Sequence, residues 1–253
     1  MSVYVVIPSR YGSTRFPGKP LYPILGVPLL QRVIHQVQKI QKKATLLVAT
    51  DDSKIYQLAE KSNIQVVMTD ENLQSGTDRI YQALLRSEIQ LNDFDIVINV
   101  QGDEPLIPPQ WIDSLIQVLE CDNGADMATL AHPISWEELE NLNSVKVVVD
   151  QKMKALYFSR FPIPHSRQRG EKPLSLKHVG IYAYRFKTLK SFCSQKASPL
   201  ELSEGLEQLR AMDLGFSIHV IQVEGAIQGV DAPEDVQRVE EILLNSKTKD
   251  LKK

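Results

Sequence analysis

Cysteine is nearly missing from this chain: 253 residues carry two, Cys121 and Cys193, far apart and without metal-ligand spacing. A disulfide framework and a structural zinc site are excluded, and a reducing compartment, the cytoplasm, is expected. Long apolar runs are missing as well. The first, residues 3–7, ends at Pro8, too short for a signal peptide, and none approaches the ~18 residues of a membrane span, so no membrane insertion is expected. There is no excess of cations either, 29 Lys and Arg against 31 Asp and Glu for a net charge of −2, which argues against nucleic acid as a partner.

What remains is an ordinary composition, 43% hydrophobic and 24% charged, with enough apolar material for a sizeable core. Against that background one stretch is unusual. "IPSRYGSTRFPGKP", residues 7–20, gathers Arg10, Arg15 and Lys19 with two glycines and three prolines directly after an apolar run. Gly and Pro make tight turns that expose backbone N–H groups, and cations beside such donors favour an anion, phosphate above all. The blander reading is a connecting loop with solvated charges. The stretch is neither a Walker A sequence nor a GxGxxG dinucleotide turn.

The first half alternates short β-branched runs (3–7, 45–49, 65–68, 96–100, 127–131) with segments of helical spacing, such as Leu29, Leu30, Val33, Ile34, Val37 and Ile40 on one face. Alternation of this kind predicts parallel βαβ units with ligands at the C-terminal strand ends. The polar clusters follow those strands: residues 9–19, 50–52, "TDENLQSGTDR" and "QGDEP". Strands at 145–150, 155–160 and 177–185 then come without a long helix between them, enclosing a proline-containing excursion that reads as a lid or a dimerisation arm. A helix over 204–212, a strand over 218–223 and a helix over 233–244 close the pattern, and the tail "SKTKDLKK" is expected to fray.

Two carboxylates stand out. Asp103 ends an apolar strand, where an α/β enzyme holds Mg²⁺, although Asp-Glu-Pro is also good turn chemistry. Asp231, followed by Pro233 and Glu234, reads as a helix N-cap with a capping-box Glu. One of its oxygens could cap while the other binds metal. Arg160 suits bidentate recognition of a carboxylate. His178, Tyr182, Glu207 and Gln208 are bland alone, and spacing does not bring them together.

Ten stretches in order, among them "VIPSRYGSTRFPGKPL", "VATDD", "VINVQGDEPLIP", "ALYFSR", "KHVGIYAYR", "SPLELSEGLEQLR" and "GVDAPEDVQRV", resemble the 3-deoxy-manno-octulosonate cytidylyltransferases, from residue 3 to about 239. The sialate cytidylyltransferases carry a Lys-rich loop absent here. The resemblance implies a Rossmann-like, mostly parallel sheet between helices, of the nucleotide-diphospho-sugar transferase type, with an inserted β-ribbon for dimerisation and sugar binding. It implies one domain over 1–253, with residues 1–135 binding CTP, about 145–215 binding sugar and making the dimer, and 216–245 returning to the main sheet.

It also implies roles. Ser9 binds CTP, Arg10, Arg15 and Lys19 hold its triphosphate, and Met68, Thr69, Gln74, Ser75, Gly76 and Arg79 line the cytosine and ribose pocket, where Met68 and Thr69 read the base through backbone groups. Asp103 and Asp231 hold Mg²⁺, acting in catalysis with Lys19 and Arg15. Gln101, Arg160, His178, Tyr182, Glu207 and Gln208 bind the eight-carbon sugar acid, Arg160 its carboxylate. The implied reaction moves CMP from CTP to the anomeric hydroxyl of 3-deoxy-manno-octulosonate (Kdo), activating it for lipopolysaccharide synthesis in a homodimer. Three rivals stand beside it. The 8-amino analogue of Kdo differs by one substituent, a metal-dependent glycosyltransferase predicts a DxD pair where Asp103 has only Glu104 beside it, and a silent CTP sensor predicts loss of Asp103, Asp231 or Lys19.

Overall fold

A computed structural model describes the chain except Ser13, Thr14, Asn123, Arg169 and residues 251–253, and of residues 247–250 it describes the backbone alone. Two members of the loop motif and the last residues of the tail therefore lie outside the described residues. The chain forms two compact units, Tyr4–Gln90 with Asn99–Ile112 and Ile227–Lys253, and Met1–Val3 with Leu91–Ile98 and Asp113–Ala226.

In the unit beginning at Tyr4, the strand Val3–Ser9 runs parallel to Thr45–Thr50, and Thr45–Thr50 runs parallel to Gln65–Met68. The first of these is buried along its whole length, as its unbroken apolar run requires when helices cover both faces. The register places Ser9 beside Thr50 and Thr50 beside Met68. Three strands thus end level, and their following loops open on one edge. Helices Leu29–Val37, Ser53–Glu60 and Gly76–Arg86 supply the crossovers. Leu29, Leu30, Val33, Ile34 and Val37 are all buried, the face that their spacing predicts. Asp52 and Ser75 cap the next two helices, accepting from backbone N–H groups. The helix Pro233–Asp250 packs Val236 and Val239 with Phe16, Ile24, Leu29 and Val230, so the end of the chain helps to build the unit that holds its beginning.

The second unit orders its strands Ile218–Gln222, Met127–Pro133, Leu176–Arg185 and Ile96–Asn99. The first pair is parallel and the second antiparallel. A hairpin of Lys146–Val149 and Ala155–Ser159 pairs onto the start of Leu176–Arg185. Among the described residues no helix interrupts these ribbon strands, as expected from the sequence. Leu176–Arg185 bulges between Val179 and Tyr182. There the Thr129 hydroxyl lies 2.8 Å from the Ile181 carbonyl and 3.2 Å from that of Val179.

Two expectations are corrected. The helix expected over 204–212 is two helices, Pro199–Glu204 and Gln208–Asp213, because Gly205 takes the left-handed conformation (φ 63°) and ends the first. At the last helix, Asp231 and Glu234 do not form a capping box. The Asp235 carboxylate accepts the N–H groups of both Asp231 and Ala232 at 3.0 Å, leaving Asp231 Oδ1 to Arg15 Nη2 at 3.3 Å. The final strand, Ile218–Gln222, lies in the ribbon unit, whereas the chain from Ile227 onward lies in the other.

Candidate active site

The loop after the first strand is closed by its own backbone, Gly18 N–H donating to the Tyr11 carbonyl at 3.1 Å. Gly18 has φ 70°, a left-handed conformation that favours glycine, while a Cβ there would make only ordinary contact with the Tyr11 side chain. This turn starts a short 3-10 helix at Lys19 and aims its side chain inward. Lys19 Nζ donates to Asp103 Oδ2 at 2.7 Å and to the Val230 carbonyl at 2.8 Å, and stands 4.0 Å from Asp231 Oδ1. Its side chain is only 13% exposed, against 31% for Asp103 and 65% for Asp231. Two carboxylates from segments 128 positions apart thus share one cation, and the Val230 N–H to Asp103 carbonyl bond (2.9 Å) ties the segments directly. Arg10 and Arg15 are exposed.

Glu104, beside Asp103, is an unexpected member. Its Oε2 is buried without a hydrogen-bond partner among the described residues. Burial first, then the charges of Asp103 and Asp231, push its carboxyl up to about 8. A Cβ at Gly229 would sit 3.0 Å from Glu104 Oε1, and one at Gly102 only 2.9 Å from the Pro8 carbonyl. The "QGDEP" loop therefore lies against the end of the first strand, where Ser9 Oγ is likewise buried and unpartnered among the described residues.

Across the same strand ends, Arg79 is 2% exposed and both terminal nitrogens of its guanidinium are engaged. Nη2 donates to Asp51 Oδ2 at 2.7 Å and Nη1 to Thr69 Oγ1. Burial lowers its pKa, and Asp51 opposes that shift. Thr69 spends its N–H on the Thr50 carbonyl (2.8 Å), and the Met68 carbonyl accepts from Arg86 Nη1 at 3.1 Å. The backbone groups expected to read a base are thus already partnered in part, while the Met68 side chain is 42% exposed. Ser75 caps its helix through Asp78, a Cβ at Gly76 would contact Pro8 at 3.4 Å, and Gln74 bonds the Asn72 carbonyl. Gln101, read as a sugar residue, belongs to this unit and donates to Asn99 Oδ1 at 2.9 Å.

The other five sugar candidates gather in the ribbon unit. The bulge brings the His178 and Tyr182 rings to 5.3 Å, with Phe158 5.2 Å from His178 on an edge. His178 Nε2 lies 2.9 Å from Thr129 Oγ1. Since that hydroxyl has two carbonyls to donate to, it accepts from Nε2–H, which leaves Nδ1 as an acceptor. Burial depresses the His178 pKa to about 3, so the ring is neutral, and it raises that of Tyr182 well above 10. Gln208 is 3% exposed and its Nε2 lacks a partner among the described residues. Glu207 precedes it at the helix N-cap.

Here comparison with known proteins becomes decisive. A profile of the cytidylyltransferase family matches residues 4–218. The 3-deoxy-manno-octulosonate cytidylyltransferase of Bdellovibrio bacteriovorus is 48% identical over 96% of this chain and 98% of its own. The chain belongs to the 3-deoxy-manno-octulosonate cytidylyltransferase family. The enzyme of that name from Escherichia coli is 41% identical over 94% of this chain and 95% of its own. A solved structure of a CMP:2-keto-3-deoxy-manno-octonic acid synthetase with CTP superposes with TM-score 0.90 at 40% identity, covering 97% of this chain and all of that one. A cytidylyltransferase from Leptospira borgpetersenii shares the fold, TM-score 0.63 at 17% identity over 95% of this chain and 85% of its own. The α/β class, a mostly parallel sheet with helices, is that of the family.

Family membership does not reveal the supporting residues that the sequence left unmarked. Asp51, Glu104, Lys146 and Glu204 each act on a named site residue. Asp51, Glu104 and Glu204 stand in stretches that the sequence singles out, in "VATDD", "QGDEP" and "SPLELSEGLEQLR", but nothing in those stretches marks them as supports.

Proposed function

We propose that this chain transfers the CMP group of CTP to the anomeric hydroxyl of Kdo, giving CMP-Kdo and pyrophosphate. The observation that carries the reading is the meeting of Asp103 and Asp231 on the Lys19 ammonium, at the strand ends where Ser9, Thr50 and Met68 stop level. Two accessible carboxylates that already share a cation suit Mg²⁺, a hard ion that takes one or two protein oxygens and fills the rest with water and phosphate. Asp103 and Asp231 are the residues that would hold it. When bound, it supplies charge neutralisation at the phosphates.

The chain's own groups do the remainder. Arg10, Arg15 and Lys19 grip the triphosphate, and Arg15 and Lys19 stabilise the charge that gathers on departing pyrophosphate. The sugar hydroxyl forms a new bond to the α-phosphorus and gives its proton to solvent water as the bond to the oxygen of the departing pyrophosphate breaks, a step governed by alignment more than by covalent help. Met68, Thr69, Gln74, Ser75, Gly76 and Arg79 shape the base and ribose pocket. Arg160 takes the sugar carboxylate, and Gln101, His178, Tyr182, Glu207 and Gln208 take its hydroxyls. His178, neutral with Nδ1 accepting, favours a hydroxyl or ammonium donor on the sugar.

The enzyme works in the cytoplasm as a homodimer built on the ribbon. No helix among the described residues is long and apolar enough to cross a membrane. Pyrophosphate release, measured with each of the four nucleotides against Kdo, its 8-amino analogue and sialate, tests the reading. CTP with Kdo is expected to dominate, with UTP a weak second. Equal use of a purine nucleotide refutes the base pocket, and preference for the 8-amino sugar moves the acceptor to that analogue.

A further inference from the structure

Arg160 is held on every side except its tip. Its main chain is fixed twice, the N–H donating to Glu204 Oε2 at 2.9 Å and the carbonyl accepting from Lys146 Nζ. Its side chain is fixed at Nε, which donates to the Glu204 carbonyl at 2.8 Å. Nη1 and Nη2 make only long contacts, 3.4 Å each, to the Leu142 and Gly205 carbonyls. Five N–H groups sit on a guanidinium, so each terminal nitrogen retains a proton that no close acceptor among the described residues claims.

The supports are themselves rigid. Glu204 Oε1 accepts from Ser159 Oγ at 2.7 Å, so both oxygens of one carboxylate hold consecutive residues of the strand end. Lys146 is fully buried, and its remaining bonds go to the Asn141 and Ser144 carbonyls at 3.0 and 2.7 Å. The helix that carries Glu204 begins in a Ser198–Glu201 capping box. Glu201 in turn grips the buried Arg210 through Nε and Nη2 at 2.7 and 2.5 Å. Gly205, left-handed, ends that helix and turns the Glu204 and Gly205 carbonyls to the guanidinium.

We propose that Glu204, with Lys146, is a positioning residue for sugar-acid specificity: it clamps the backbone and Nε of Arg160 so that the two terminal nitrogens face a carboxylate ligand. This rests on the assignment of Arg160 to the Kdo carboxylate. A fork whose base is already ordered loses less freedom on binding.

Glu204→Gln keeps the shape but swaps an acceptor oxygen for an NH₂ that cannot accept. The KM for Kdo is expected to rise about tenfold, the scale of one charge-assisted hydrogen bond, with kcat and the KM for CTP within about twofold. In an Arg160→Lys background the same change should add less than about twofold, since it acts through the residue already altered. If Glu204→Gln moves both KM values together with a fall in Tm, or adds its full tenfold to Arg160→Lys, Glu204 is structural and the proposal fails. Should Glu204→Gln fold poorly, Ser159→Ala frees Oε1 alone and should raise the Kdo KM about threefold on the same pattern; an unmoved KM overturns the clamp. If Arg160→Lys itself leaves the Kdo KM unchanged, the assignment of Arg160 falls first. A shifted Arg160→Lys with an unmoved Glu204→Gln overturns the positioning role alone.

Discussion

Lys19→Met removes one ammonium and keeps most of its stem, so its consequences can be worked from the contacts. The ammonium loses a 2.7 Å bond to Asp103 and a 2.8 Å bond to the Val230 carbonyl. A hydrogen bond to a charged group contributes roughly 1.5–3 kcal/mol. Asp103 is 31% exposed, so water recovers part of its share, and a total near ~2 kcal/mol is expected. For a chain of this length that is a Tm fall of about 4–8 °C. Activity should fall further, by at least ~100-fold in kcat/KM for CTP, the scale of losing a main electrostatic stabiliser. A third effect has the opposite sign. With the competing cation gone, Asp103 and Asp231 meet a divalent ion unneutralised, so Mg²⁺ without nucleotide should raise the Tm of the variant more than that of the wild type. Differential scanning fluorimetry with and without Mg²⁺, beside steady-state kinetics, measures all three. Activity within about threefold of wild type, or an equal Mg²⁺ shift in both proteins, refutes the shared-cation account.

Asp231→Asn should leave stability unchanged by urea denaturation, because Asp235 serves the helix start, yet lower kcat at least ~10-fold through loss of a metal-binding charge; an unchanged kcat makes Asp231 a surface residue. Gly102→Ala should cost roughly 1–3 kcal/mol, since its Cβ would stand 2.9 Å from a backbone carbonyl. Gly229→Ala should cost less, its obstacle being the end of the Glu104 side chain, and equal losses on denaturation contradict this. His178, with its folded pKa depressed to about 3, contributes stability that is complete above the unfolded value of ~6.5 and is lost as pH falls below it, at up to ~1.4 kcal/mol per pH unit. His178→Asn should remove that part of the slope between about pH 6.5 and 4, as read from denaturation at each pH.

The strands of the nucleotide unit were legible because a parallel strand covered on both faces must be a short β-branched run, and the loops that follow such strands are where polar clusters can go. That is why Arg10, Lys19 and Asp103 stood out. Gly205 was not legible as a helix end, because residues 204–212 carry helical spacing across it and a left-handed turn leaves little trace beyond the glycine itself. The start of the last helix misled for a related reason: Asp231, Glu234 and Asp235 lie close together in sequence, and only the entry angle of the chain decides which carboxylate meets the free N–H groups. Lys146 and Glu204 were invisible because their work is to bond main-chain groups brought near by hairpin and helix packing. Charged residues normally mark a surface, and Lys146 is fully buried.

The central claim is most directly tested by the phosphorus NMR spectrum of the purified protein incubated with CTP, Kdo and Mg²⁺. A phosphodiester resonance of a sugar–CMP conjugate should grow in step with pyrophosphate, one for one, and neither should appear without Kdo. Formation of CMP or CDP without a sugar conjugate, or a conjugate that forms as fast from a sugar lacking the carboxylate, would contradict it.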